Sequence, residues 1–171
     1  MIDIQIDDRE VRAALDRLQR RLSDLSPVMK AIATELEARV EQRFETATDP
    51  QGRPWKPLAP STLAAYLARG KGNRRKDGSL TKKGRERLAS RRPLYDTGDL
   101  LGSLTSSFSR SEARVGFGQP YAAFHEYGTK RIPRRGLLMA DPVARTLGDA
   151  DRAAVLDILG DALRGALDGR A

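Results

Sequence analysis

"SPVMKAIATELEARVEQRF", residues 26–44, decides how the rest of the chain is read. Ser26 followed by Pro27 offers an N-cap and then a residue whose missing N–H is harmless in a first helical turn. Met29, Ile32, Leu36, Val40 and Phe44 then recur at steps of three and four, so they form one apolar stripe. A helix with such a stripe has to bury it, and this helix is expected to support the core. It ends before "TDPQGRPWKPLAP", residues 48–60, where repeated prolines break helix and central strand alike. Trp55 is the only tryptophan and sits among those prolines. Its expected task is to anchor this irregular segment against the core.

Working outward, "IDIQI" alternates apolar and polar residues and predicts a short strand over Ile2–Ile6. Val11, Ala14/Leu15, Leu18 and Leu22 follow helical spacing, which predicts a helix from Asp8. "STLAAYLARG", residues 61–70, reads as a short helix capped by Ser61 or Thr62. "LYDTGDLLGSL", residues 94–104, reads as a turn leading into another. Two alternating runs, Ser103–Ser109 and Ala113–Gly118, predict a β-hairpin. Apolar positions from Val155 to Leu167 place a helix over Asp149–Leu167. The order gives an α+β class: two N-terminal helices, a small antiparallel β-sheet, a C-terminal helix and one long basic loop. The length of 171 residues suits a single domain, 1–171.

The net charge of +8 is concentrated in one place. Arg69–Arg92 holds 11 basic and 2 acidic residues, while the remainder holds 20 against 21. The stretch is polar, glycine-rich and without period, so it is expected to be a flexible loop, about 69–92, that orders only in an assembled particle. Arg74, Arg75, Lys76, Lys82, Lys83 and Arg85 are its candidate contacts. Both DNA phosphates and an acidic protein surface satisfy that charge. No aromatic residue is interleaved, so base stacking is not expected.

The chemistry-bearing residues are few. Cysteine is absent, which excludes disulfides and thiolate sites. The start, "MIDIQIDDRE", is acidic and lacks the apolar core of a secretory signal. No apolar run reaches the roughly 18 residues of a membrane span, so a soluble product of a cytoplasm, with no membrane contact, is expected. "ARGKGN" lacks phosphate-loop spacing. "DTG", Asp96–Gly98, is the short signature of aspartic proteases, in which two carboxylates share a proton and activate water. Here "SRRPLY" precedes it instead of an apolar strand. The alternative is a turn in which Asp96 caps the backbone, Gly98 takes a positive φ and Asp99 opens a helix.

"YAAFHEYGTKRIPRR", residues 121–135, holds the only histidine. His125 lacks a second histidine, a cysteine or a carboxylate at ligand spacing. It is expected to pack and hydrogen-bond on a short helix that Gly128 ends. Pro133 should hold the following segment extended. Lys130, Arg131, Arg134 and Arg135 are then expected to face a neighbour or DNA. These readings point to no enzyme, no cofactor and no metal.

Three blocks occur in order: "DPQGRPWKPLAPST" (49–62), "LYDTGDLLGSL" (94–104) followed by "RVGFG", and "YAAFHEYGTKRIPRRGLL" (121–138). Together they resemble the phage virion morphogenesis (tail completion) family of Mu-like and other tailed phages and prophages. The matching positions are Gly52, Trp55, Pro57, Leu58 and Thr62, then Thr97, Gly98, Leu100 and Ser103. Tyr121, Ala122, His125, Gly128, Ile132, Pro133 and Arg135 complete them. After Arg135 the family commonly has proline and an aromatic, whereas this chain has Gly136 and Leu137. The resemblance implies a structural protein of the virion, at the tail or neck, assembled in the host cytoplasm. It implies a ring of copies that meets the head–tail connector and the tail tube or tail terminator proteins. DNA passing the lumen would give basic side chains a non-specific contact. Trp55, Gly98, Tyr121, His125, Gly128 and Pro133 carry over as structural positions. A basic nucleic-acid-binding accessory protein and a dimeric aspartic protease are the rival readings.

Overall fold

The computed structural model describes residues 24–168. The predicted strand Ile2–Ile6 and the helix from Asp8 to Leu22 lie outside the described residues. Helix α1, Ser26–Thr46, is where the stripe predicts it, and it buries Ile32, Ala33, Val40 and Phe44. Its start is set one residue earlier than expected, with Leu25 at the cap and Ser26 inside the first turn. Asp24 Oδ1 accepts the Ser26 N–H at 2.9 Å, which does the work assigned to the serine. Ala47 closes the helix in the left-handed region at φ 53°.

Strands β1 (Leu104–Phe108) and β2 (Ala113–Phe117) form the expected antiparallel hairpin, pairing Leu104 with Phe117 and Ser106 with Val115. α1 lies across this hairpin and also packs on the C-terminal helix. The core joins Val40 and Phe44 of α1 to Trp55, Leu100, Ala122 and Leu137. Phe44 meets the Trp55 ring edge-on at 5.3 Å and the Phe117 ring at 6.0 Å. The Trp55 indole N–H donates to Gly136 O at 3.0 Å, so the tryptophan anchors its segment as expected. An α+β class results.

The region Arg69–Arg92 differs from expectation. It is read from sequence as a loop, but the structure gives it regular elements. Helix α2, Pro60–Ala68, begins at Ala59 with Pro60 in its first turn, and neither Ser61 nor Thr62 caps it. The Asn73 side-chain amide donates to Leu67 O (2.7 Å) and Gly70 O (2.9 Å), closing the C-terminal end of α2. Arg74 and Leu80 bridge across a tight turn that contains Gly78 at φ 85°. Thr81 then caps helix α3, Lys82–Ala89, by accepting the Gly84 N–H. Gly84 lies against the Asn73 backbone; a Cβ there would sit 2.1 Å from Asn73 O. The Arg91 guanidinium stacks 3.1 Å from the Tyr66 ring centroid, with Arg87 at 4.6 Å. Aperiodicity hid this arm because caps, a glycine contact and stacked cations hold it, and an apolar stripe does not.

Helix α4 (Asp99–Gly102) precedes β1, helix α5 (Ala122–Tyr127) follows β2, and helix α6 (Asp149–Asp168) closes the described chain.

A candidate docking cleft where three motif blocks meet

The three blocks converge on one cleft of about 260 Å³. Leu58 and Thr62 come from the first block, Thr97, Gly98 and Leu100 from the second, and Tyr121, His125 and Arg135 from the third. The arm adds Arg69, Arg91 and Arg92. Sequence separation hides this meeting, since the residues span nearly 80 positions.

Local backbone chemistry positions each wall. Leu94 is held in the left-handed region, at φ 63°, while packed against the core cluster. A leucine in that region stores strain, which marks a position over-determined by its surroundings. Gly98 takes φ 91° at the start of α4, as the turn reading expects, and Asp99 opens the helix. Asp96 does not cap the backbone. It pairs with Arg91 and, at 3.3 Å, with Arg69. The Arg91 hydrogen bond holds the Asp96 carboxyl below the usual aspartate range. A protease dyad opposes two carboxyls that share a proton, whereas the partners of the exposed Asp96 carboxylate here are two guanidinium groups.

Gly128 ends α5, as expected, at φ 75°, with Arg134 N only 3.1 Å from where a Cβ would lie. The chain then reverses, and the Arg135 N–H donates to His125 O at 2.8 Å. Arg135 is buried, and its guanidinium donates to Lys56 O (2.8 Å) and Pro57 O (2.9 Å). Arg134 donates to Glu126 O (2.9 Å) and Met139 O (2.6 Å). Neither arginine is the outward contact expected of it. An irregular, proline-rich segment leaves carbonyls without partners, and a guanidinium with five donors satisfies several at once. Of the four expected contacts, Lys130 and Arg131 stay exposed.

His125 is half-buried, and its ring meets Tyr121 edge-on at 6.4 Å. Burial, then the Arg135 charge, push its pKa below the usual histidine value, so the ring is neutral at neutral pH. The expected side-chain hydrogen bond is not made at Nδ1, which has no partner among the described residues; it is the backbone carbonyl that accepts, from the Arg135 N–H. No cluster among the described residues could hold a metal ion.

Two functional-looking groups escape sequence reading. Glu126 is buried and accepts three consecutive backbone N–H groups, from Leu137 (2.6 Å), Leu138 (2.9 Å) and Met139 (3.1 Å). It fixes the end of the third block. The signal was the proline-free run Gly136–Met139, which supplies donors that need an acceptor. The second is Arg43, buried on α1, which donates to Leu137 O at 2.8 Å and pairs with Asp151 of α6. Arg74, Arg75, Lys76, Lys82, Lys83 and Arg85 are exposed and do not line the cleft.

A model of the phage virion morphogenesis family matches residues 6–164. This chain belongs to that family. Mu-like prophage FluMu G protein 2 of Haemophilus influenzae is 32% identical over 151 residues, covering 83% of this chain and 86% of the relative. No solved structure matches. The family membership makes this a phage morphogenesis protein, and the resemblance read from the three blocks holds. Residues of the same three blocks contribute to the walls of the cleft. No described helix is long and apolar enough to cross a membrane.

Proposed function

We propose that the protein completes the phage tail and joins it to the head, acting in the virion as a ring of identical copies and not as an enzyme. The carrying observation is the convergence of the three blocks on one cleft whose titratable groups suit binding. Asp96 is charge-paired, His125 is neutral without a proton-transfer partner, and the buried arginines hold backbone carbonyls. Such a site recognises a protein surface. The head–tail connector lies on one side of the ring and the tail tube or terminator on the other. Electron microscopy of particles made without the protein tests this. Filled heads and separate tails are the expected outcome; joined, normal particles would overturn it.

The arm's outward cations favour a second reading, a basic nucleic-acid-binding accessory role. Six exposed lysines and arginines on one folded arm are suited to phosphates of DNA passing a lumen. Gel shifts across a salt series separate the two. Tight, steeply salt-dependent binding by the free protein supports the accessory role, and weak binding leaves the arm to protein contacts.

A further inference from the structure

The cleft has a composition that specifies its occupant. Leu58, Ala65, Leu94 and Leu100 give it aliphatic walls, and the rings of Tyr66 and Tyr95 add aromatic surface. Four arginines line it (Arg69, Arg91, Arg92 and Arg135) against two carboxylates, Asp96 and Asp99. The Arg91 side chain is only 10% exposed, yet its Nε has no hydrogen-bond partner among the described residues. His125 Nδ1, at the same cleft, is likewise without one. At about 260 Å³ the space is just below the range of ordinary small-molecule pockets and suits a few aliphatic side chains from a chain segment. Apolar walls with an excess of arginine call for an extended segment that alternates aliphatic and acidic residues.

The chain carries one. Ile2–Asp8, "IDIQIDD", has isoleucine at every second position and three aspartates. In an extended conformation Ile2, Ile4 and Ile6 share one face, while Asp3 and Asp7 point the other way. We infer that the cleft of each copy receives residues Ile2–Asp8 of the neighbouring copy, with isoleucines against the aliphatic walls and aspartates toward Arg69 and Arg92. The ring reading is what favours the neighbour over the same chain. One cleft and one segment per copy is a heterologous contact, the kind that closes a ring.

This inference rests on the ring reading, and purified protein tests it separately from head–tail joining. Because the chain has no cysteine, an introduced thiol reports one contact. Full-length Ile4→Cys protein is mixed under mild oxidation with Tyr95→Cys protein, whose altered residue lines the cleft. The control partner is Val143→Cys, at a residue 92% exposed and not part of the cleft. The expected result is about ten-fold more mixed disulfide dimer with Tyr95→Cys than with Val143→Cys, as a docked segment raises effective concentration. Thr97→Cys supplies a second wall position should Tyr95→Cys fold poorly. Equal yields overturn the inference. So does an Ile4→Cys/Tyr95→Cys chain that closes its disulfide within a monomer, since the segment would then occupy its own cleft. If cross-linking fails while particles lacking the protein still fail to join, the docking inference falls and the joining function stands.

Discussion

The body and the basic arm of this protein are stabilised by different physics. In the body, α1, the hairpin and the Trp55 segment bury an apolar cluster, and two buried ionic devices fix the irregular third block to it: Glu126 over three backbone N–H groups, and Arg43 between Leu137 O and Asp151. In the arm, Asn73 and Gly84 are the buried residues between Arg69 and Arg92, and the contacts are caps, a bridge and guanidinium stacking. Apolar burial of a few side chains contributes several kcal/mol, whereas a cap or an exposed cation–π contact contributes about 1 kcal/mol. The body should therefore unfold as a unit, and the arm should open before it.

Removing the Glu126 carboxylate is the strongest way to break the body. Glu126→Ala leaves three N–H groups unpaired at the third block, one buried and two part-buried. A loss of about 4 kcal/mol is expected, from desolvation of those donors and the unpaired Arg134 charge. For a chain of this size that lowers Tm by roughly ten degrees, readable by calorimetry. A change of a degree or two would show that the Leu137–Met139 turn holds without its acceptor. Asp151→Asn comes next. It leaves the buried Arg43 guanidinium without its counter-charge, with an expected loss of about 3 kcal/mol. Urea denaturation should register the drop in the whole transition, because Arg43 links α1, α6 and Leu137.

Gly84→Ala applies the same test to the arm. The new Cβ would meet Asn73 O at 2.1 Å, a backbone contact that can be relieved only by moving α3 off the Asn73 turn. The expected cost is about 2 kcal/mol and should fall on the arm alone. Trypsin reports it directly, since the arm holds 11 lysines and arginines. Cleavage between Arg74 and Arg87 should quicken many-fold while the body's Tm moves little. Equal loss of both would show that arm and body fold together. Rapid cleavage of the unaltered protein would restore the expectation that this region orders only on assembly.

The same contrast explains what was legible beforehand. Periodicity found α1, the hairpin and α6 because burial of a stripe leaves a period in the sequence. Gly98 and Gly128 were legible because positive φ selects glycine. The arm was not, since Thr81, Gly84 and Asn73 act by local hydrogen bonding and close approach, with no period to detect. Arg134 and Arg135 misled for a related reason. A basic run looks like surface, and nothing local shows that Lys56 and Pro57, nearly 80 residues earlier, offer carbonyls to one of them. Leu58, Thr62, Thr97, Gly98, Leu100, Tyr121, His125 and Arg135 were singled out from sequence, but their meeting in one cleft, and the walls that Tyr66, Arg69 and Arg91 add, are tertiary facts.

His125 gives the smallest and most specific test, because it lies where body and cleft join. Its pKa is lowered in the folded protein, so between that value and about 6.5 the unfolded chain binds more protons than the folded one. Stability must then decline as pH falls through about 6.5 and level off below the folded pKa, with a slope that one group limits to about 1.4 kcal/mol per pH unit. The carboxylates with lowered pKa values, Asp24, Asp49, Asp77, Asp96, Glu112 and Asp141, lose their contribution only as pH falls below their usual 3.8 to 4.5. The two windows therefore separate. His125→Gln, which cannot take up a proton, should flatten the denaturant midpoint against pH near 6 and leave the acid limb unchanged. An unchanged slope near pH 6 would mean that the ring takes up its proton equally in the folded and unfolded chains, so that burial and Arg135 do not suppress its charge.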